Sequence, residues 1–409
     1  MLPHFPVAVA GSGPAGASCA ISLLMNGAGN VALIDKARFP RDKACGDGIG
    51  PGAVQIVKRL GLGDKLRAHA RVHYLAVSGP SGVCAKGPLP HVGGEIADGY
   101  TIPRFIFDNY LAQSALDRGA IDYTGKLLDQ ASFEDGRWVL SLKDSLSGEQ
   151  TAITAEVLVG ADGARSRVRR ALKVPNNSDH HTGAAVRIYG NSVSSHFYAL
   201  QIDFQRELLP AYGWLFPIDK TRANIGIGID LDHYKRKRRH LREILECYRK
   251  TIDTHVEYDE TSYLANILPY GSELPRLAHP EERAALIGDA GSMINPLTGE
   301  GIFYGMFAGE LLGRILARAV EKPDFSTIAV ALTEYESQFR HRFRRHFDLN
   351  WKMKEKAGIA LWCNMVINAC RKDKIVMEDL SDLVMGDKKD VELGILFRIF
   401  ARNLLPFLP

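Results

Sequence analysis

The sequence predicts a mixed α/β (α+β) protein in which a parallel, helix-covered domain is interleaved with an antiparallel sheet and followed by helices. Three observations predict it. The chain opens on a buried-strand run, a glycine-rich turn and a helical pattern. Two later stretches, about 72–99 and 183–270, alternate with period two between turn signals. From about residue 323 the pattern is helical. The division that follows assigns 1–71, 100–182 and 278–322 to the first domain, 72–99 and 183–277 to the sheet domain, and 323–409 to a C-terminal helical region.

Length and composition set limits. A chain of 409 residues buries a large core as two or three interleaved lobes. Its composition, 46% hydrophobic and 24% charged, is that of an ordinary soluble globular protein, and a net charge of +4, well dispersed, gives no footprint for nucleic acid. Six cysteines (Cys19, Cys45, Cys84, Cys247, Cys363 and Cys370) form no CxxC pair or zinc spacing, so free thiols in a reducing cytoplasm are expected, and no structural metal. The apolar N-terminus has no basic flank and is broken by Gly11, Gly13, Pro14 and Gly16, unlike a secretory signal. The run Ala357 to Cys370 is too short and polar to span a bilayer. There is no GxSxG elbow, Walker loop or metal-spaced histidine set, and His180-His181 reads as an exposed pair.

The first elements carry a ligand signature. The strand run Val7 to Ala10 leads into Gly11-Ser-Gly13-Pro-Ala15-Gly16, a helix to Met25, and a second strand, Val31 to Ile34, ending in Asp35. Glycines at these spacings let the backbone approach a pyrophosphate seated on the positive helix N-terminus. Asp35, followed by Lys36, is placed to accept from a ribose 2′-hydroxyl and would repel a 2′-phosphate. An adenine dinucleotide other than NADP is therefore the expected resident.

Two later segments sharpen this by resemblance. Val157-Leu-Val-Gly-Ala-Asp162-Gly163-Ala-Arg-Ser resembles the Asp-Gly motif of flavoprotein hydroxylases, and Ala285-Leu-Ile-Gly288-Asp289-Ala290 resembles their Gly-Asp motif, whose acid holds the flavin ribityl chain. Together they imply FAD. The loop Asn295-Pro-Leu-Thr298-Gly299-Glu300-Gly301 then delivers backbone N–H groups to a helix starting at Ile302, suited to the negative charge of reduced flavin. Glu300 holds a family position without an assigned mechanism.

Phe39-Pro-Arg41-Asp-Lys43-Ala-Cys45-Gly46-Asp-Gly48 resembles a Pro-Arg-Asp-Lys-x-Cys-Gly segment of the geranylgeranyl reductase family. The resemblance implies that Cys45 and Gly46 lie against the isoalloxazine. Arg41 could neutralise a pyrophosphate or an anionic substrate head. Arg104, in Ile-Pro-Arg-Phe, resembles the arginine that opens the next helix and touches the cofactor. Finally Tyr212-Gly-Trp214-Leu-Phe216-Pro, eight residues and Gly226-Ile-Gly228 resemble the same family's tunnel signature. Read without the family, Tyr212, Trp214 and Phe216 alternate and so share one side of a strand, facing either flavin or core. Gly226 and Gly228 would open a groove beside them for a long ligand.

The activity implied is hydrogenation of an isoprenoid C=C bond by FAD, with Cys45, Tyr212 or an ordered water as proton donor and Trp214 in the catalytic wall. No second dinucleotide fold is evident, so NADPH would visit transiently, or ferredoxin or a flavin reductase would bring electrons. The rival is an FAD-dependent monooxygenase hydroxylating or epoxidising a secondary metabolite; a halogenase would require tryptophan at 212. Basic runs at 235–239 and 340–345 read as solvated helix faces. The apolar C-terminal segment with Arg398 and Arg402 suits peripheral contact with a membrane face as well as it suits packing on the tunnel lobe.

Overall fold

The computed structural model describes residues 1–92, 95–96, 98–191, 198–237, 239–252, 257–321, 324–386 and 393–404. Its parallel centre is built from strands too apolar for a solvent face. His4–Ala10 lies between Val31–Asp35 and Gln150–Gly160, with Ile121–Thr124 beyond the second strand and Ala284–Leu286 beside the third. Val7, Val9, Val31 and Leu33 are fully buried, as strands covered on both faces require. The antiparallel strands Lys126–Glu134 and Arg137–Asp144 extend the sheet at one edge. The register Ala10↔Ile34 brings Gly11 level with Asp35 at the carboxyl ends of the strands, where ligands bind in open α/β sheets.

Helices α1 (Pro14–Met25), α2 (Pro51–Arg59), α3 (Arg104–Asp117) and the short α4 (Arg167–Ala171) belong to this domain. Helices α5 (Leu231–Lys237) and α6 (Leu241–Ile252) cover the second sheet. Then come α7 (Ile302–Val320), α8 (Phe325–Ala357), α9 (Ala360–Lys372), α10 (Lys374–Met385) and α11 (Leu393–Leu404). Helix α7 returns to lie directly on α1. The stripe Gly305, Gly309 and Gly313 makes this approach possible: a Cβ on Gly309 would sit 2.2 Å from the Ala15 carbonyl oxygen, and one on Gly313 would sit 2.6 Å from Ser22 Cβ.

The second sheet runs in the order Glu257–Pro269, Thr182–Asn191, Arg222–Asp230, Tyr212–Pro217, Ala199–Asp203, Tyr74–Ser78, Cys84–Pro88. It is antiparallel as expected except at one join, where Ala199–Asp203 pairs parallel with Tyr74–Ser78. The inferred border at 71/72 and 99/100 runs through a small sheet of Gly48–Ile49, Gly99–Thr101 and Ala70–Val72 that ties the two domains together.

The C-terminal helices do not form a unit of their own. Tyr335, Phe339, Phe343 and Phe347, spaced by four on α8, are fully buried in the core of the first domain. Helices α9 and α10 instead pack against the second sheet through Cys363, Ile367 and Val376, and α11 packs on α9, adding Ile399 to the same core. The basic run on α8 is partly paired, Arg340 with Glu336 and Arg344 with Asp348, while Arg342 lies over the Phe307 ring. His180 and His181 both pack on Trp351, so the pair is not simply solvated. Among the described residues no helix is long and apolar enough to cross a membrane.

Candidate active site

The cofactor cradle follows from the turn at 11–16. Gly11 has φ of +108°, and a Cβ there would lie 2.1 Å from the Ala161 carbonyl oxygen; one on Gly16 would lie 1.8 Å from the Gly11 carbonyl oxygen. Asp35 holds the turn by accepting from Ser12 N (2.8 Å) and Ala37 N (2.9 Å). Ala15 packs its methyl against Gly288 and Gly305, while Lys36 is exposed. Helices α1 and α7 follow Gly13 and Gly301 as N-caps, and neither has a side-chain cap, so the N–H groups of their first turns, after Pro14 in α1, stay available to an acceptor. Two uncapped N-termini brought together around Ala15 and Gly288 fit a pyrophosphate and the pyrimidine edge of a flavin.

Other expected cofactor residues have protein partners. Asp289 accepts from Lys43 Nζ at 2.8 Å. Asp162 accepts from Ser166 Oγ (2.5 Å) and from Arg167 N (2.6 Å), so its carboxylate organises the start of α4, while Gly163, φ +83°, leaves open space beside it. Arg104 grips the fully buried Asp108 through two bonds of 2.6 Å, and Arg41 adds a third of 2.6 Å to the same carboxylate. Burial opposes the Asp108 charge, but the two guanidiniums win and hold its carboxyl below the ordinary range. These arginines thus fix the Arg41–Cys45 loop on α3, with Arg104 also beside the Cys45 thiol.

Around Cys45 lies a buried network that the sequence did not disclose. Asp47, at φ +63° between two glycines, accepts from Tyr189 Oη and Asn224 Nδ2, both at 2.7 Å. Asn224 Nδ2 also donates to the Cys45 carbonyl at 2.7 Å, and its Oδ1 accepts from Trp214 Nε1 at 2.9 Å. Burial raises the Asp47 carboxyl to about 6 against these bonds. Arg187, fully buried, lies over Tyr189 and donates to Asp42, pinning the loop to the second sheet. One signal was available: Asn224 is the polar residue inside an otherwise apolar strand, Ala223–Ile229. The Cys45 thiol is pushed up by burial, with Arg104 pulling the other way, so it keeps its proton at neutral pH.

The aromatic residues face the loops at 45–48 and 298–299. Tyr212, Trp214 and Phe216 form a row with centroid spacings of 6.2 and 6.4 Å, extended by Phe204 at 5.9 Å from Tyr212. Phe216 and Trp214 stand against Gly46, where a Cβ would meet the Phe216 ring at 2.9 Å; the Tyr212 hydroxyl donates to the Thr298 carbonyl at 2.9 Å. The groove expected at Gly226 and Gly228 is already filled. Cross-strand register sets Trp214 opposite Gly226 and Tyr212 opposite Gly228, and a Cβ on Gly226 would lie 2.2 Å from the indole. These glycines seat the rings, which then present their faces to the loops at 45–48 and 298–299.

From Tyr212 a cavity of about 70 Å³ runs between the second sheet and α8 to α10, lined by Ile202, Phe204, Leu297, Trp362 and Val384 among others, with almost no polar surface. The loop at its inner end is held from behind. Asn295 Oδ1 accepts from Leu297 N, and Lys354 Nζ donates to the Pro296 carbonyl while pairing with Asp230 at 2.6 Å. Glu300 in this loop turns toward Gly50, its Oε1 3.2 Å from where a Cβ there would stand. Its Oε2 is buried without a hydrogen-bond partner, and burial raises the carboxyl to about 8. Burial thus favours the neutral acid at this position over the carboxylate.

Comparison with known proteins agrees with this geometry. A family model described as an FAD binding domain matches residues 4–324, so the chain is an FAD-binding flavoprotein. A menaquinone reductase of Mycolicibacterium smegmatis is 30% identical over 364 residues, covering 87% of this chain and 84% of that protein. A digeranylgeranylglycerophospholipid reductase of Methanocella arvoryzae is 28% identical, covering 87% and 88%. Among solved structures, a geranylgeranyl bacteriochlorophyll reductase-like protein of Thermoplasma acidophilum superposes with a TM-score of 0.78 at 20% identity, over 99% of this chain and 97% of that one. A flavin-dependent brominase reaches 0.76 at 19% identity, covering 98% of each chain; at such identities the likeness is one of fold. The chain belongs to the geranylgeranyl reductase family of FAD-dependent oxidoreductases.

Proposed function

We propose that this chain hydrogenates C=C bonds of an isoprenoid chain. The observation that carries the reading is the aromatic row above Cys45–Gly46, continued without polar interruption into the apolar cavity. An isoprenoid offers only apolar surface, and such walls reward it by about 25 cal/mol per Å² buried. The names of the relatives add support, because menaquinone and digeranylgeranylglycerophospholipid both carry isoprenoid chains. The cofactor's part, when FAD is bound and reduced, is to supply the hydride.

The rest falls to this chain. An unactivated alkene accepts hydride only if a proton arrives in the same step and water is kept away. Cys45 Sγ and Tyr212 Oη are each held protonated by burial; Cys45 precedes Gly46, which packs on the aromatic row, and Tyr212 would have to give up its bond to the Thr298 carbonyl, so Cys45 is the freer proton donor. Trp214 serves differently: its N–H is committed to Asn224, so it orients the wall rather than moving a proton. NADPH, ferredoxin or a flavin reductase would restore electrons. The test is product analysis with a prenylquinone under nitrogen and under labelled oxygen. Gain of two hydrogens in the side chain, with the quinone ring reoxidised before analysis, under both atmospheres supports hydrogenation; incorporation of labelled oxygen would establish the monooxygenase instead.

A further inference from the structure

The proposed reaction leaves one buried acid unused. Glu300 lies in the loop whose Leu297 and Thr298 line the apolar cavity. Its own backbone is held from both sides, because Glu300 N donates to Thr298 Oγ1 at 3.2 Å and the Glu300 carbonyl accepts from Asn295 N at 2.8 Å. The carboxyl is therefore carried on a fixed support. Its Oε2 is buried, and among the described residues nothing bonds to it. A buried polar group without a partner is costly to keep, so its retention points to a use.

The carboxyl shares a wall with the aromatic row. A Cβ on Gly46 would meet the Phe216 ring at 2.9 Å, one on Gly48 would meet the same ring at 3.5 Å, and one on Gly50 would meet Glu300 Oε1 at 3.2 Å. Gly48 and Gly50 are two residues apart in extended backbone, so Glu300 stands about 7 Å along this segment from the edge of Phe216. Farther back in the Glu300 loop, the Thr298 carbonyl accepts from the Tyr212 hydroxyl. The aromatic row, the 46–50 segment and the 298–300 loop thus form three sides of one slot, and Glu300 is the acid on the third.

We propose that Glu300 is the catalytic acid, placing its proton on one carbon of the C=C bond while hydride reaches the other. The inference rests on the proposed hydrogenation and assigns its proton step, with Cys45 as the rival donor. Hydride adds to one carbon, the π pair of the alkene bonds the Glu300 proton at the other, and the O–H pair stays on oxygen as carboxylate. The alkene gains two electrons and two hydrogens, and the reduced cofactor gives up the electron pair with the hydride. Acidity favours the carboxyl over the thiol: burial raises Glu300 to about 8, and it raises Cys45 above an ordinary value of 9.0. A gap of about one pH unit or more is at least about tenfold in acidity. Burial alone shifts the carboxyl, with no charged group among the described residues adding to it. The carboxylate left by the step therefore takes a proton back from solvent, which resets the acid.

The test takes the FAD-loaded full chain, reduces it with dithionite in the absence of oxygen and mixes it with a prenylquinone whose ring is already reduced. Glu300→Gln should hold FAD at the wild-type stoichiometry and lower the rate of flavin reoxidation at least about 100-fold, with the half-saturating substrate concentration little changed. Glu300→Asp, which keeps the acid but is one methylene shorter, should recover part of the rate. The wild-type rate should fall as pH rises through about 8, and the residual rate of Glu300→Gln should not. Infrared difference spectroscopy gives a readout independent of turnover: a carboxylic C=O band that is lost over the same pH range and is missing from Glu300→Gln. Reoxidation of Glu300→Gln at the wild-type rate, with Cys45→Ala inactive, overturns the proposal in favour of the thiol, and a band already lost well below pH 8 overturns it as well. A wild type that leaves every side-chain alkene intact defeats the hydrogenation reading and the proton role with it, whereas an active wild type beside an equally active Glu300→Gln defeats only the assignment of the acid.

Discussion

Replacing Glu300 by glutamine isolates the one carboxyl of the flavin loop that is buried without a partner. The Glu300 carboxyl is raised by burial from 4.5 to about 8. A difference of about 3.5 pH units corresponds to a ceiling of about 5 kcal/mol, at about 1.36 kcal/mol per unit. The residue as a whole is partly exposed at the loop, so solvent screening reduces this to about 2–3 kcal/mol. The sign follows from linkage. Between about 4.5 and 8 the folded protein holds a proton that the unfolded chain releases, so wild-type stability is full below the unfolded value and falls as pH rises to about 8. Glutamine cannot titrate and loses this decline. Urea unfolding of the FAD-loaded protein across that range should show near parity at the acid end and a variant more stable by about 2–3 kcal/mol above pH 8. Parallel pH curves would refute the reasoning, since they would mean that the carboxylate is charged and partnered in the folded enzyme.

Gly11→Ala should yield protein without bound FAD, because the new methyl meets the Ala161 carbonyl at 2.1 Å; flavin absorbance per mole of purified chain measures it. Asp35→Ala removes the acceptor of two backbone N–H bonds and should weaken FAD at least about tenfold in a flavin-fluorescence titration, at about 1.5–3 kcal/mol for hydrogen bonds to a charged group. Asn224→Leu strands the Trp214 N–H, Asp47 and the Cys45 carbonyl, and should cost about 2–4 kcal/mol in urea unfolding, with slower reduction of substrate. Gly226→Ala drives a methyl into the Trp214 indole and should raise KM for a long prenyl chain more than for a short one in steady-state assays.

Much of the fold was legible because its signals are local. The turn at 11–16, Asp35 one strand later and the glycine-rich loop before α7 each carry their own backbone requirement, and all three converge on one cradle. The alternation of Tyr212, Trp214 and Phe216 likewise placed them on one side of a strand. What the sequence could not carry was cross-strand register: Gly226 reads as open space until Trp214 is seen opposite it. The Asp47–Asn224–Trp214 network joins residues up to 177 positions apart, so no window of sequence holds it. The division of the C-terminal helices between two domains was missed for a similar reason. The aromatic stripe of α8 announces burial but not the partner, which is α7.

The central claim is tested most directly by rapid mixing without oxygen. The protein is reduced with dithionite, freed of excess reductant and mixed with a prenylquinone whose ring is already reduced, so that only side-chain alkenes can take electrons, while flavin absorbance is followed. Hydrogenation predicts that oxidised flavin returns at a rate rising with substrate concentration, with one side-chain double bond lost per flavin reoxidised. Flavin that stays reduced until air is admitted would contradict the account.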